Sequence, residues 1–393
     1  MGGVNRFQTR LPVAAEVRRL RPVRRLGGGR LLRLDGEGTH PLVDFSSNDY
    51  LALAEHPALI TASRRCLEQL GAGAGAARLM SGDLELFHTL ETEVACLKGR
   101  EAALVFGSGY LANLGVIPAL VGRDDVIFCD RLNHASIYDG CRLAGARLVR
   151  FRHNDPEHLE DCLKTRRGAG AALIVVESIY SMDGDLAPLR DLVALKNRYD
   201  CLLMVDEAHA TGLYGQNGGG VIQAEGLALE VDVALGTFGK ALGSYGAFVA
   251  GSRGLVELLV NRARSFIYST ALPPAVAGAS LAAVRLVRRQ PALRADLHRK
   301  VALFKAALHG QGITTDLGPS QIIPLMVGES GRAMELAAAL GQRGIFATAV
   351  RPPTVPHGTA RLRFSITRHH TEDVLRDAAA HIGELARQSL VQK

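Results

Sequence analysis

Short, nearly unbroken apolar runs alternate along the first two thirds of the chain with longer stretches whose apolar positions recur at helical spacing. That alternation predicts a mainly parallel sheet covered by helices on both faces. The strand candidates are Ala102 to Phe106, Val126 to Cys129, Arg147 to Phe151, Ala172 to Val176, Leu202 to Val205, Val231 to Leu235 and Ala247 to Ala250. Several are followed by polar or glycine-containing tips: Gly107-Ser-Gly109-Tyr110, Asp130-Arg-Leu-Asn-His134, Glu177-Ser-Ile-Tyr-Ser181, Asp206-Glu-Ala-His209 and Thr237. Ligands of open α/β sheets bind beyond the carboxyl ends of the strands, so these tips are expected to converge on one crevice.

After about Pro273 the texture changes. Leu281 to Leu308 reads as long Arg- and Ala-rich helical spacing, and strand-like pieces follow around Ile322 to Val327 and Leu362 to Ile366. The expected organisation is an N-terminal segment (1–48), a large α/β domain (49–273) and a small α+β C-terminal domain (274–393). No internal repeat is evident, and the glycine-rich stretches Gly71 to Gly75 and Gly215 to Gly220 are too short for linkers. The first of them has neither dinucleotide-binding nor P-loop spacing, which makes hydride transfer and nucleotide hydrolysis weak readings.

Composition narrows the class. A chain of 393 residues, 47% hydrophobic, can bury a large core and exceeds one compact domain. The six cysteines (Cys66, Cys96, Cys129, Cys141, Cys162, Cys201) include no close pair, against a zinc site or disulfide framework, and are read as reduced core residues. Met1 to Arg6 lacks an apolar signal region, Arg6 stands where a myristoylation motif wants Ser or Thr, and no later run is apolar enough to span a bilayer. The cytoplasm is therefore the expected compartment, with no membrane partner. The net charge of +7 is moderate, but basic residues crowd near the N-terminus in Arg18-Arg-Leu-Arg21-Pro-Val-Arg24-Arg25. Without aromatic interleaving or a DNA-reading motif this cluster does not predict nucleic-acid binding. A solvated helix face is the plain reading; arginine forks for an acidic or phosphorylated substrate are the functional one.

Candidate chemistry centres on Lys240, within Gly236-Thr-Phe-Gly-Lys240-Ala-Leu-Gly243, downstream of the apolar run that ends in Asp206-Glu-Ala-His209. A partly neutral amine can capture an aldehyde as a Schiff base, and the small neighbours Gly239, Ala241 and Gly243 leave room for a flat ring. A carboxylate at a strand tip could keep a pyridine nitrogen protonated and make that ring an electron sink. Pyridoxal 5'-phosphate (PLP) meets both requirements. A lysine in a glycine-rich turn and an ordinary strand-end acid would each suffice singly; the pairing is what argues for the cofactor.

Ser47-Asn-Asp-Tyr50-Leu, Asp130-x-x-x-His134-Ala-Ser, Ser181-Met-Asp-Gly-Asp185, Val205-Asp-Glu-Ala-His209-x-x-Gly and Thr237-Phe-Gly-Lys240 together resemble the α-oxoamine synthases, in that family's order and over nearly the whole chain. The resemblance implies a fold-type-I PLP enzyme, a transferase that joins an amino acid to an acyl thioester with loss of carbon dioxide. Arg351-Pro-Pro-Thr354-Val-Pro-x-Gly-Thr-Ala-Arg361-Leu-Arg363 is similar to the biotin-biosynthesis branch, which implies L-alanine and a pimeloyl donor carried by coenzyme A or an acyl-carrier protein.

The same resemblance implies the residue roles. Lys240 would hold the cofactor and act as base, Asp206 would pair with the ring nitrogen, His134 would stack on the ring, and His209 would bond its phenolic oxygen. Gly109 and Tyr110, with Thr237, would bind the phosphate; Ser181 would touch the cofactor from the next tip. Ser269 and Thr270 would reach the phosphate of a partner subunit, implying a homodimer with shared sites. Arg363 would fork the amino-acid carboxylate, with Asn48 near the substrate and Arg18 and Thr354 along the acyl path. One departure is Gly71-Ala-Gly-Ala-Gly75-Ala-Ala-Arg78, where relatives often carry Ser or Thr, so a hydroxyl contact from that loop is not expected. Rival readings are another α-oxoamine synthase using glycine or serine, an aminotransferase on the same fold, and a non-catalytic binding protein.

Overall fold

A computed structural model describes residues 20–34, 40–313 and 317–391. Arg24 and Arg25, read above as part of a solvated helix face, lie instead in a solvated strand, β1 (Val23–Gly27). Gly27, Gly28 and Gly29 all take positive φ (80°, 59° and 72°) and turn the chain back into β2 (Arg30–Arg33). A β-carbon at Gly29 would stand 2.6 Å from that of His369, so the turn also needs glycine for room. β3 (Leu42–Asp44) follows antiparallel to β2.

The seven-stranded sheet comprises β4 (Ala102–Phe106), β5 (Val126–Asp130), β6 (Arg147–Phe151), β7 (Ala172–Glu177), β8 (Leu202–Asp206), β9 (Val233–Thr237) and β10 (Ala247–Gly251), in spatial order β4-β10-β9-β8-β7-β5-β6. All seven expected runs form strands. β5, β7, β9 and β10 are buried along their whole length, whereas the edge strand β6 is exposed at Arg147, Leu148 and Arg150. β9 starts two residues later than expected, because Asp232 is occupied otherwise: its backbone N–H bonds Leu203 O and its carboxylate takes the Leu203 N–H. Thr237 is consequently the strand's last residue. The sheet is parallel from β9 to β6 and antiparallel at β10. From β5 the chain crosses outward to β6, and from β7 it proceeds the other way to β8, so connections diverge between β5 and β7. Such a divergence opens a crevice at the strands' carboxyl ends.

The expected helical stretch Leu281 to Leu308 is two helices, Pro274–Arg289 and Ala292–Gly310, interrupted at Gln290-Pro291. The first lies against helix Pro57–Leu70 so closely that a β-carbon on Gly278 would sit 2.4 Å from Cys66 Sγ. Contacts of this kind shift the division of the chain from the anticipated Pro273. Of the described residues, one compact unit holds 48–301 and 319–321; the other holds 20–34, 40–47, 302–313, 317–318 and 322–391. In this second unit β11 (Ile322–Gly328), β13 (Thr348–Val350) and β14 (Ala360–Ser365) make an antiparallel sheet, while β12 (Ile345–Phe346) pairs in parallel with β3. Phe45 packs among Phe304, Phe364 and His370 there. Cys129, Cys141, Cys162 and Cys201 are buried as expected, but Cys96 is exposed and Cys66 half-buried. No described helix is long and apolar enough to cross a membrane.

One buried ion pair secures the end of β8. Lys98, the last residue of helix Glu85–Lys98, directs Nζ to Glu207 Oε2 (2.6 Å), Gly219 O (2.6 Å) and Thr211 Oγ1 (3.1 Å). Both side chains are dry, at 2% and 0% exposure, and Glu207 Oε1 also takes the Ile222 N–H. Lys98→Ala should cost about 3–5 kcal/mol by leaving Glu207 buried without its counter-ion. The double variant with Glu207→Gln should recover part of that loss, as read from urea unfolding midpoints.

Candidate active site

Strand tips of the large unit carry the site. Asp206 closes β8, and its Oδ2 accepts from Asn113 Nδ2 (3.0 Å) while Oδ1 accepts the Ala208 N–H (2.9 Å). Three residues further on, the tip turns back and presents His209, whose Nε2 is 2.8 Å from Lys240 Nζ. His209 Nδ1 is 2.7 Å from the hydroxyl of Tyr50, which in turn donates to Asn48 Oδ1 (3.0 Å). A phenol has one proton. With that proton given to Asn48, the Tyr50 oxygen accepts from His209 Nδ1–H, and His209 Nε2 is left with a lone pair for the lysine ammonium. Gln321 Nε2 donates to His209 O (2.9 Å) and fixes the backbone of the same turn.

The opposite side is set by His134, N-cap of helix Ala135–Ala144. Its Nδ1 accepts the Ser136 N–H (3.2 Å) and lies 2.8 Å from Ser136 Oγ. Ser136 Oγ itself accepts from Asn113 Nδ2 (3.0 Å), which frees its own proton for Nδ1. A neutral ring here carries its hydrogen on Nε2. Desolvation lowers the His134 pKa; the Asp206 charge opposes it, and the smaller influences of Lys240, lowering, and Asp139, raising, leave the net shift downward. Asn113 thus ties the strand-end acid to the histidine loop. Glu177, in register with Asp206 on β7, accepts the His134 N–H and is 4% exposed. Burial and the Asp206 charge raise its pKa to about 8, so this acid holds a proton at neutral pH.

Helix Gly109–Leu120 points its N-terminus at the end of β9. Ser108 caps it by accepting the Leu111 N–H (3.2 Å), and a β-carbon on Gly109 would meet Thr237 Cγ2 at 2.8 Å. Among the described residues the buried Thr237 hydroxyl has no hydrogen-bond partner. An orphaned hydroxyl beside a helix N-terminus is suited to a phosphate, whose oxygens accept from both. A lysine reached by a neutral histidine, an acid with two donors, and this cradle together fit PLP.

The remaining expected residues are placed as follows. Tyr110 is exposed, with its ring edge toward His134 (6.5 Å between centroids) and its hydroxyl donated to Asp139. Ser181 lies in a hairpin after β7 closed by an Ile179–Leu186 bridge. Ser269 and the exposed Thr270 share a small pocket with Gly107, two residues before Gly109, and Thr270 bridges to Ala77. The loop at Gly71–Gly75 turns on Gly71 and Gly75 at positive φ, and Ala76 O accepts the Ala271 N–H. In the second unit Arg363 is buried on β14 and donates to Ser365 Oγ (2.8 Å), and Thr354 is exposed, its N–H bonded to Arg351 O. Arg18 lies outside the described residues. The sequence reading gave no role to Tyr50, Asn113, Ser136 or Glu177. Asn113 had a legible signal: it is the one amide in an otherwise apolar helix.

The chain matches the family model "Aminotransferase class I and II" over residues 40–382. It is 49% identical to the 8-amino-7-oxononanoate synthase of Geobacter sulfurreducens across 96% of this chain and 98% of that protein. For the enzyme of the same name from Anaeromyxobacter dehalogenans the identity is 51%, covering 89% and 86%. Among solved structures, a serine palmitoyltransferase from S. paucimobilis with a bound PLP–myriocin aldimine superposes with a TM-score of 0.88 at 31% identity, covering 93% of this chain and 91% of that one. An 8-amino-7-oxononanoate synthase from Francisella tularensis gives 0.77 at 28%, covering 89% and 99%. The chain therefore belongs to the aminotransferase class I and II family of PLP-dependent enzymes, and within it to the α-oxoamine synthases.

The raised pKa of Glu177 sets a pH dependence. Its folded value, about 8, exceeds the ordinary 4.5, so the stability it contributes is whole below about 4.5 and is lost as pH climbs through 8. Glu177→Gln, which imitates the protonated acid, should flatten the fall in melting temperature over that interval. An unchanged slope would show that another group titrates.

Proposed function

We propose that this chain is an 8-amino-7-oxononanoate synthase: it condenses L-alanine with a pimeloyl thioester, releasing carbon dioxide and the free thiol of the carrier, in biotin biosynthesis. The observation that carries this reading is the assembled set Lys240, His209, Asp206 and His134 in a chain that aligns over nearly its full length with relatives of that name. PLP, when bound, supplies an electrophilic carbon for the amine and a ring that accepts electrons from the amino acid's α-carbon.

The residues divide that work. Lys240 is the amine that would hold the cofactor, and its Nζ, in the neutral form, would take the α-proton of alanine. Asp206 would keep the ring nitrogen protonated, with Asn113 and Ala208 orienting the carboxylate. His209, its tautomer set by Tyr50, would direct a nitrogen to the phenolic oxygen, and Ser181 would contact the cofactor from the neighbouring tip. His134 would cover the ring face and exclude water from it. The N-terminal amides at Gly109 and Tyr110, with the Thr237 hydroxyl, would hold the phosphate. Arg363 would pair with the amino-acid carboxylate, Asn48 would lie near the substrate, and Thr354 and Arg18 would serve the acyl donor. Ser269 and Thr270 reach the phosphate of a second copy, which makes the working form a homodimer, placed in the cytoplasm. The donor is pimeloyl-CoA or pimeloyl-acyl-carrier protein; a chain of net charge +7 suits either anion.

A second reading, serine with a long acyl thioester, is favoured by the higher TM-score to the serine palmitoyltransferase; the higher sequence identity of the other relatives weighs against it. Mass spectrometry of products from alanine or serine, each with pimeloyl and palmitoyl thioesters, decides. Alanine with pimeloyl-CoA should yield 8-amino-7-oxononanoate, and a preference for serine would overturn the proposal. Lys240→Ala should lower kcat by about 10²–10⁴-fold, and borohydride should no longer fix PLP to the peptide containing position 240. Tyr50→Phe should reduce kcat by about tenfold, because His209 Nδ1–H loses its buried acceptor, with KM for alanine little changed.

A further inference from the structure

The segments that carry His134 and Ser181 each contain an acid that the reaction does not use: Asp130 at the end of β5 and Asp185 in the hairpin after β7. His153, in the loop after β6, lies between the two. Its Nδ1 is 2.9 Å from Asp130 Oδ1 and its Nε2 is 2.7 Å from Asp185 Oδ2. A neutral imidazole can donate to only one of two carboxylates, so contact with both requires the imidazolium.

The acids are also anchored to the loops they serve. Asp130 Oδ1 takes the Leu132 N–H (2.8 Å), inside the loop that ends in His134, and Oδ2 takes the Asn154 N–H (2.9 Å). Asn154 Nδ2 then donates to Asp185 Oδ2 (2.7 Å) and Leu186 O (3.0 Å), across the hairpin that presents Ser181. Three strand tips, of β5, β6 and β7, meet at one ring.

We propose that His153 is a positioning residue, an imidazolium strap between Asp130 and Asp185 that fixes the His134 loop and the Ser181 hairpin in place. This rests on the reading of His134 and Ser181 as cofactor contacts. The groups facing the ring are Asp130 from β5, Asp185 and Tyr180 from the hairpin, the latter edge-on at 4.3 Å, and Asn154 beside it. Around Asp130 stand Tyr138, whose hydroxyl bonds its carbonyl, and the protonated Glu177; Arg152 is turned away to Asp155. Burial opposes the charge on His153, but the two carboxylates outweigh it and lift the pKa to about 9 from 6.5. A raised value means the strap is complete below about 6.5 and is lost as pH rises through 9.

Amide hydrogen exchange on the full chain, with and without PLP and corrected for intrinsic rates, tests the strap. In His153→Gln, protection at neutral pH should fall about tenfold in 130–137 and 178–187 and stay unchanged elsewhere in the sheet, while wild type should lose the same protection only as pH passes about 9. The PLP dissociation constant should rise about tenfold. Unchanged protection in both segments, or an equal loss throughout the sheet, overturns the proposal. Should His153→Gln not fold, Asp185→Asn in the partly exposed hairpin carries the same expectation. A local loss of protection with unaltered PLP affinity supports the strap and instead removes the assignment of His134 and Ser181 to the cofactor.

Discussion

The contact between Lys98 and Glu207 is the constraint on which the site depends. Three acids meet where β7 and β8 end: Glu177, Asp206 and Glu207. Three ionised carboxylates at such short spacing in a water-poor crevice would repel one another strongly. The structure disposes of two. Glu207 turns into the core and is matched by the Lys98 ammonium, and Glu177 is pushed by burial and by Asp206 into its protonated form. Asp206 is then the carboxylate left facing donors, Asn113 and Ala208, at the position where a ring nitrogen would need an anion. An apolar residue in place of Lys98 would disturb more than packing, since the charge it neutralises is adjacent in sequence to the acid of the site.

Directionality of hydrogen bonds does for the histidines what charge does for the acids. His209 has its hydrogen on Nδ1 because Tyr50 spends its proton on Asn48, whereas His134 has its hydrogen on Nε2 because the Ser136 amide occupies Nδ1. Two rings of the same chemistry acquire opposite tautomers, His134 from a partner two residues away and His209 from one 159 residues away. Asn113 links the networks by donating both to Asp206 and to Ser136. Geometry at Lys240 is therefore specified by residues that never need to touch a substrate.

How much of this could be read from the chain follows from where each signal resides. Apart from the edge strand β6, with its exposed arginines, the β-strands of the central sheet were legible because burial leaves runs without polar interruptions, and the strand-tip residues were legible because polarity resumes abruptly after them. β1 was not, since its exposed arginines carry no periodic apolar signal and its identity is set by the triple-glycine turn and pairing with β2. The division near Val301 was hidden in a helix-to-helix approach at Gly278 that no local pattern encodes. Lys240, Asp206, His209 and His134 stood out through their motifs. Tyr50, Ser136 and Glu177 lay inside or beside those motifs, but their functions depend on bonds to distant positions. Glu177 in particular looks like an ordinary ionised acid until its pairing with Asp206 is known.

Unpaired groups also concentrate here. Among the described residues six buried side-chain atoms lack a well-formed hydrogen bond, on Asn113, Asn133, Asn154, Tyr180, Asp185 and Thr237, and every one lies at or beside the carboxyl end of the central sheet. The rest of the described core shows no such deficit. A fold selected for stability alone would satisfy or remove these groups, because each costs about 1–3 kcal/mol when left bare. Of the six, the Thr237 hydroxyl is a donor beside the helix N-terminus at Gly109, where the phosphate of a bound ligand would accept from it. Such a ligand binds the folded chain and not the unfolded one, so by mass action it stabilises the fold in proportion to the logarithm of its concentration over its dissociation constant. Stability and cofactor binding are on this view one linked property, joined at the Thr237 hydroxyl.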